Sequence, residues 1–257
     1  MIEEFPLVSI ITVCYNSAKT IEQTIQSVLQ QTYRNIEYIL IDGVSNDGTL
    51  DIIKKYEPVF IKEKKTYKYI SEPDKGIYDA MNKGVTLAHG KWIGIINSDD
   101  FYEQRTIELV NDCFISNPDI DIVHGNLNFI DEAGRCKIET PKEDISFLRT
   151  TMIVFHPTIF IKKALYEKYG LFDLKYKLIA DWELLLRFYD NKALFFHLNE
   201  TLSNFRGGGA GSGFKLTHLK ERYKIRHKYN KKVSFWLDFK DVLIYIYFRI
   251  YFKKSSM

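Results

Sequence analysis

The sequence predicts an α/β protein, a three-layer α/β/α arrangement around a mostly parallel, Rossmann-like sheet. Three observations predict it. Short β-branched runs alternate with segments of helical periodicity up to about residue 115, a rhythm that implies right-handed crossovers and a sheet covered on both faces. Polar residues follow each run directly, where such sheets bind their ligands. The chain of 257 residues, 46% hydrophobic and 15% aromatic, is long enough to bury a sizeable core.

The elements follow in order. Leu7 to Val13 reads as a strand, and Ser17 to Gln30 as a helix with Ile21, Ile25, Val28 and Leu29 on one face. Ile36 to Ile41 is a second strand, and the turn from Asp42 to Gly48 leads into a helix carrying Leu50, Ile52 and Ile53. Tyr67 to Ser71 and Trp92 to Ile96 read as strands, with helices over Ile77 to Ala88 and Glu103 to Ile115. Each strand delivers polar groups at its carboxyl end: Thr12, Tyr15 and Asn16, then Asp42, then Glu72 to Lys75, then Asp99-Asp100. Beyond residue 116 the pattern loosens, with strands over Ile120 to Ile130 and Pro157 to Ile161 and a short helix over Asp181 to Tyr189. Gly207 to Gly213 holds five glycines and a serine, a mobile linker or lid by composition.

Composition and motifs exclude several classes. Cys14, Cys113 and Cys136 lie far apart with no Cys-x-x-Cys pair, so neither a disulfide framework nor a zinc site is written here. The acidic N-terminus lacks the order of a signal peptide, and no run of about 20 apolar residues occurs; a reducing cytosol is the expected compartment. The loop after the first strand, Val13-Cys14-Tyr15-Asn16-Ser17, has no glycine, which excludes a dinucleotide-binding dehydrogenase. Gly84 to Lys91 misses phosphate-loop spacing by one residue, and a sugar nucleotidyltransferase would need a Gly-rich, basic first loop. Net charge is +3, unevenly spread. From Phe214 onward there are twelve Lys/Arg against three Asp/Glu, leaving +9 on the tail and −6 on the body, two surfaces suited to two partners.

Asp99 and Asp100 end the apolar run Trp92 to Ile96, and adjacent carboxylates repel. Either a divalent cation offsets the repulsion, bound through one or two carboxylates plus phosphate oxygens and water, or the pair caps the helix expected near Glu103.

The run "VSIITVCYNSAKTIEQTIQSVLQQTYRNIEYILIDGVSNDGT", followed by "SEPDKGIYDAMNKGVTLAHGKWIGIINSDD", resembles the inverting nucleotide-sugar glycosyltransferases of the largest GT-A family, family 2, of the colanic-acid or surface-polysaccharide type. The similarity covers roughly residues 5 to 110 and again about 155 to 190. It implies a GT-A fold, a nucleotide-sugar half over residues 1–115, an acceptor half over 116–213, a UDP-type sugar donor, and Mn²⁺ or Mg²⁺. By position, Thr12, Tyr15 and Asn16 would line the base and ribose pocket, Asp42 would bind the nucleobase, and Asp74, Lys75 and Asn82 would approach the nucleotide and diphosphate. Asp99 would lie nearer the ribose and Asp100 on the metal. One departure concerns the base: relatives often carry two adjacent aspartates after the second strand, and this chain has Asp42-Gly43.

Single-displacement transfer requires a base for the acceptor hydroxyl, and an ordinary carboxylate is ionised at neutral pH. Asp181, in "IADWELLLRF", resembles the family's base, although the usual preceding acid is Ala180; a helix cap is the competing reading. Trp182 would stack on the acceptor sugar or sit in the core. His156 falls where relatives often carry a histidine near the donor. Arg206 would reach the diphosphate or stand in solvent.

The tail, residues 214–257, is basic and then aromatic. Its cleanest apolar run, Val242 to Phe248, is too short to span a bilayer of about 30 Å. The alternatives are lying in an anionic membrane interface, folding back on the domain, or pairing in a homodimer. The body shows no RNA-binding signature, so nucleic acid is not an expected partner. The sequence therefore points to a cytoplasmic, metal-dependent inverting glycosyltransferase, peripheral at the inner face of the plasma membrane. Its acceptor would be a saccharide or lipid-linked saccharide. A non-catalytic saccharide- or nucleotide-binding subunit is the alternative.

Overall fold

A computed structural model of the chain describes residues 5–208, 216–230 and 235–253. The first βα units follow the periodicity closely: β1 (Val8–Cys14), α1 (Ile21–Leu29), β2 (Ile36–Asp42), α2 (Thr49–Lys62), β3 (Thr66–Ser71), α3 (Ile77–Leu87) and β4 (Trp92–Ile95). All seven residues of β1 and of β2 are buried, as expected of strands covered on both faces. Alternate residues serve opposite layers. Ile11, Val13, Ile39 and Ile41 pack with Tyr78, Met81 and Val85 of α3, whereas Val8, Ile10, Tyr38 and Leu40 pack with Ile21 and Ile25 of α1 and with Ile53 and Phe60 of α2. A Cβ on Gly84 would lie 2.4 Å from Ile11 Cγ2, so only glycine lets α3 seat this closely on β1.

The second half departs further from simple alternation. It comprises β5 (Phe101–Tyr102), α4 (Thr106–Ser116), β6 (Ile122–Ile130), β7 (Cys136–Glu139), β8 (Phe160–Lys162), α5 (Lys163–Tyr169), α6 (Ala180–Asp190) and β9 (Phe195–Arg206). The expected strand over 157–161 is instead a 3-10 turn at His156–Thr158 followed by β8. Pro157 in that turn cannot donate to a ladder. The nine strands form one sheet in the order β3-β2-β1-β4-β8-β6-β9-β5, with β7 beside β6. The β3-β2-β1-β4 side is parallel, and β8 is antiparallel to both β4 and β6. β9 returns parallel to β6 and then pairs with β5 through Phe101↔Asn204 and Tyr102↔Ser203.

That last pairing positions the site, because it brings the end of β9 against the loop after β4. The tail forms two helices, α7 (Leu216–Tyr229) and α8 (Phe235–Lys253), and α7 folds back on the body through buried Ile225 in the α3/α6 core layer.

Candidate active site

The carboxyl ends of β1, β2, β3 and β4 are stitched into one rim by their loops. Gly43 N–H donates to the Cys14 carbonyl (2.9 Å) and Glu72 N–H to the Asp42 carbonyl (3.0 Å). Asn16, in the left-handed region at φ 50°, donates its N–H to Ser45 Oγ (2.8 Å) and accepts Asn46 N–H on Oδ1 (3.0 Å). Ser17 N–H reaches Thr49 Oγ1 (2.7 Å), and its hydroxyl lies 2.7 Å from that of Ser98. These bonds explain why α1 starts at Ile21: Ser17 belongs to the rim.

On this rim the sequence-predicted donor residues separate into two groups. Tyr15 is 64% exposed and lies beside Gly43, whose Cβ would lie 3.4 Å from the Tyr15 ring and 2.7 Å from Asp74 Oδ2. Asp74 Oδ1 accepts Gly76 N–H (2.8 Å); Oδ2 has no hydrogen bond among the described residues. Lys75 is exposed at the head of α3, its N–H held by Asp79 (3.0 Å).

Three other residues are engaged within the fold. Asp42 is fully buried, and its carboxylate accepts Ser45 N–H, Ser45 Oγ–H and Ser71 Oγ–H (2.6 Å for the last); it holds the loops after β2 and β3 together and presents no edge to a base. Thr12 is buried, accepting Tyr38 O–H (3.0 Å). Asn82 uses both ends of its amide on Phe172, donating to its carbonyl and accepting its N–H, each at 2.9 Å, so it clamps the loop before α6 and does not face a diphosphate.

The acidic pair is not a helix cap. α4 begins at Thr106 behind Arg105, with β5 between it and Asp100. Asp100 is fully buried, and burial pushes its carboxyl up to about 8, with the Asp99 charge adding to the shift. Arg206 N–H donates to Asp100 Oδ1 (3.2 Å) and the Arg206 guanidinium to the Asp99 carbonyl (2.5 Å) and to Gln23 Oε1, while packing 4.9 Å over the Phe101 ring. Arg206 is thus half-buried on the acidic pair, not a solvated surface cation. Asp100 Oδ2 is buried and has no hydrogen-bond partner among the described residues. The glycine-rich stretch that Arg206 leads into falls, from Gly209 on, outside the described residues.

Asp181 lies in the first turn of α6, whose N-cap is Ile179, so capping is not its function. Its Oδ1 accepts Tyr78 O–H (3.0 Å) and Trp182 N–H (2.9 Å), and Oδ2 faces His156 Nδ1 at 3.9 Å. Tyr78 also donates to the Leu178 carbonyl (2.9 Å); burial and the Asp181 charge hold its hydroxyl firmly protonated. Burial lowers the His156 pKa, opposed by Asp181, so an uncharged imidazole is favoured. Asp181 and His156 line a small cavity whose walls include Ile95 at the end of β4, Ile159 and Phe172. Trp182 is 1% exposed, with Nε1 donating to the Leu148 carbonyl (2.6 Å) and Arg222 over its ring. A ring enclosed in this way is a core residue and cannot stack on an acceptor.

Two supporting residues carried no sequence signal of their own role. Tyr78 sits inside the quoted "GIYDAMNKG", yet its bond to Asp181 spans 103 positions. Glu221 of α7 accepts the N–H groups of Lys177 (2.7 Å), Leu178 (3.1 Å) and Ile179 (3.3 Å), fixing the entry to the helix that bears Asp181. Exchanging Glu221 for Ala should leave three donors without their acceptor. Unsatisfied buried groups cost roughly 1–3 kcal/mol, and a thermal melt together with turnover should register losses in both. Unchanged turnover in a destabilised variant would confine Glu221 to stability.

Comparison with known proteins agrees with this architecture. The chain is 31% identical over 190 residues to a PGL/p-HBAD biosynthesis glycosyltransferase of Mycobacterium bovis, covering 74% of this chain and 72% of that one. It is 28% identical over 260 residues to an uncharacterized glycosyltransferase of Methanocaldococcus jannaschii, covering 94% and 88%. Among solved structures it resembles S. aureus TarS 1–349 in complex with UDP-GlcNAc, with TM-score 0.68, 18% identity, and coverage of 93% of this chain and 71% of that one. The mannosyltransferase PcManGT from Pyrobaculum calidifontis, in complex with GDP-Man and Mn²⁺, superposes with TM-score 0.67 at 17% identity, covering 89% and 65%. In a longer TarS structure the chain spans 42% of its relative. Both structural likenesses concern the fold, which is the GT-A α/β fold. The family model described as "Glycosyl transferase family 2" matches residues 9–170, well over half the chain, and the protein is a glycosyltransferase belonging to that family.

Proposed function

We propose that this glycosyltransferase is metal-dependent and inverting, moving a sugar from a UDP-type donor to a hydroxyl of a saccharide or lipid-linked saccharide. The observation that carries the reading is the state of Asp181: one carboxylate oxygen is fixed by Tyr78 and a backbone N–H, while the other has no hydrogen bond among the described residues and faces His156 Nδ1 at 3.9 Å. A carboxylate held this way is oriented and retains a lone pair for an incoming proton. As the acceptor oxygen forms its bond to the anomeric carbon, its proton passes to Asp181 Oδ2. The bond from that carbon to the diphosphate oxygen breaks, and the electron pair leaves with the nucleotide. Arg206, already against Asp99 and Asp100, supplies positive charge where the diphosphate leaves.

The donors available to Mn²⁺ or Mg²⁺ are two adjacent carboxylates, which no third His, Cys, Asp or Glu joins among the described residues. Such an ion takes one or two carboxylates and leaves its remaining positions to phosphate oxygens and water, and Asp100 Oδ2 is a buried carboxylate oxygen without a hydrogen-bond partner among the described residues. Asp100, with Asp99 beside it, would hold the ion, which when bound neutralises the diphosphate as the glycosidic bond breaks.

For the base, support comes from Asp74 and Tyr15. Position 43 has no carboxylate, and Asp74 Oδ2 occupies the space its side chain would fill, next to the exposed Tyr15 ring. With Oδ1 taken by Gly76, one acceptor oxygen is left, which matches the single imide N–H of uracil. The place of action we assign is the cytoplasmic face of the membrane, in surface-polysaccharide or glycolipid synthesis of the colanic-acid type. A relative named for PGL/p-HBAD biosynthesis is consistent with a glycolipid product.

A thermal-shift screen of nucleotide sugars with and without Mn²⁺ tests the reading. A UDP-sugar at a hundredfold excess over its Kd should stabilise the protein by about 2.7 kcal/mol, and only with the metal present. Failure of every nucleotide sugar to raise Tm would contradict it.

A further inference from the structure

The two C-terminal helices are built inside out. Glu221, Asp238 and Asp241 are the only acids from Phe214 onward, and all three are consumed internally. Glu221 binds backbone N–H groups before α6. Asp238 pairs with Arg226 (3.1 Å) and His227 (2.9 Å), and Asp241 with Arg222 (2.8 Å) and Arg226. Asp241 and Arg226 are buried. The faces of α7 and α8 that meet each other and the body therefore carry the ion pairs.

The opposite face of α8 is apolar. Trp236, Phe239, Leu243, Ile246 and Tyr247 recur at helical spacing along one side and are exposed, Trp236 by 73% and Tyr247 by 58%. An ordinary surface helix points such a stripe at the core. Lys240 lies in the same stripe, and α7 adds exposed Lys220, Tyr223 and Lys224. The outward surface thus combines aromatic and aliphatic side chains with cations, while every carboxylate is turned inward.

We infer that this outer face of α7 and α8 docks onto an anionic lipid surface, with α8 lying in the interface plane. Aromatic and aliphatic side chains bury partway into the headgroup boundary, and each nearby Lys adds attraction to anionic headgroups. Charge decides against a second copy of the chain. A symmetric contact through this face would set Lys240 and the α7 lysines against their own counterparts with no outward carboxylate to pair them. Spanning is excluded for the described residues, among which no helix is long and apolar enough to cross a membrane. The inference deepens the proposed place of action and is independent of the transfer chemistry.

Trp236 supplies the reporter, because Trp92 and Trp182 are 2% and 1% exposed and the chain has three tryptophans. The full chain is titrated with vesicles of phosphatidylcholine alone and of phosphatidylcholine mixed with phosphatidylglycerol. The inference expects a blue shift of Trp236 emission and co-flotation with the mixed vesicles only, weakened by salt. Replacing Lys220, Lys224 and Lys240 together with Gln should weaken binding roughly 100-fold. L243E/I246E should abolish it, with Tm and donor-dependent stabilisation retained as the check on folding. No shift with mixed vesicles, equal binding to neutral vesicles, or a shift that follows protein concentration without lipid would each overturn it, the last in favour of self-association. Vesicle binding without sugar transfer would fault the proposed activity and leave the lipid surface standing.

Discussion

Asp181→Asn should lower the rate of sugar transfer by roughly 10³-fold while donor affinity stays within a few-fold of the parent. General-base catalysis contributes on the order of 10²–10⁴, and Asn preserves the shape of the side chain while removing its capacity to take a proton. The structure makes this substitution informative, because Tyr78 O–H and Trp182 N–H both bond to Oδ1 and the Asn carbonyl can accept both. Steady-state transfer alongside calorimetric donor binding separates the terms. Loss of donor binding in parallel with turnover would mean that Asp181 organises the pocket and is not the base. Tyr78→Phe should give a smaller loss, about tenfold, because it orients the carboxylate without exchanging protons with the substrate.

The second large effect concerns the base. Asp74→Asn replaces the acceptor at Oδ2 by an amide whose N–H₂ can turn to the same place, and the cap on Gly76 N–H survives through the other atom. A hydrogen bond to a charged group contributes about 1.5–3 kcal/mol, so UDP binding should fall roughly 10- to 100-fold. CDP, whose ring nitrogen accepts at the matching position, should gain relative to UDP. Gly43→Asp should also weaken UDP, since its Cβ would stand 2.7 Å from Asp74 Oδ2 and two carboxylates would compete for one space. Combining Gly43→Asp with Asp74→Ala should recover much of the loss, because a single carboxylate again occupies that position. Titration of the four proteins with UDP, CDP and GDP measures this; identical UDP affinity in the parent and Asp74→Asn would remove Asp74 from base recognition.

The first part of the sheet was legible in the sequence because parallel strands buried on both faces appear as unbroken β-branched runs, and β1, β2 and β4 have that character. The rim was legible for the same reason, since whatever follows such a strand lies at the sheet's carboxyl edge. Individual roles on the rim were not. Asp42 looks like a ligand by position, but Ser45 and Ser71 enclose its carboxylate, and the Ser71 contact depends on β3 lying beside β2. The capping reading of Asp99-Asp100 is removed by β5, a two-residue strand paired with β9 about a hundred positions away, which no local periodicity can reveal. Trp182 follows Asp181 directly, yet successive residues on a helix point about 100° apart, one to the small cavity beside His156 and the other into the core. The tail's packing rests on pairing between Arg222 or Arg226 and Asp241. Composition marked that segment as basic without indicating that its few acids would all be turned inward.

The proposed transfer is a single displacement at the anomeric carbon, with Asp181 taking the acceptor proton. Its most direct test is the anomeric configuration of the product, read by proton NMR from the coupling at the newly linked carbon before any rearrangement. The mechanism predicts a configuration opposite to that of the donor sugar, with the signal lost in Asp181→Asn. Retention of the donor configuration would contradict it, since one in-line displacement cannot preserve stereochemistry.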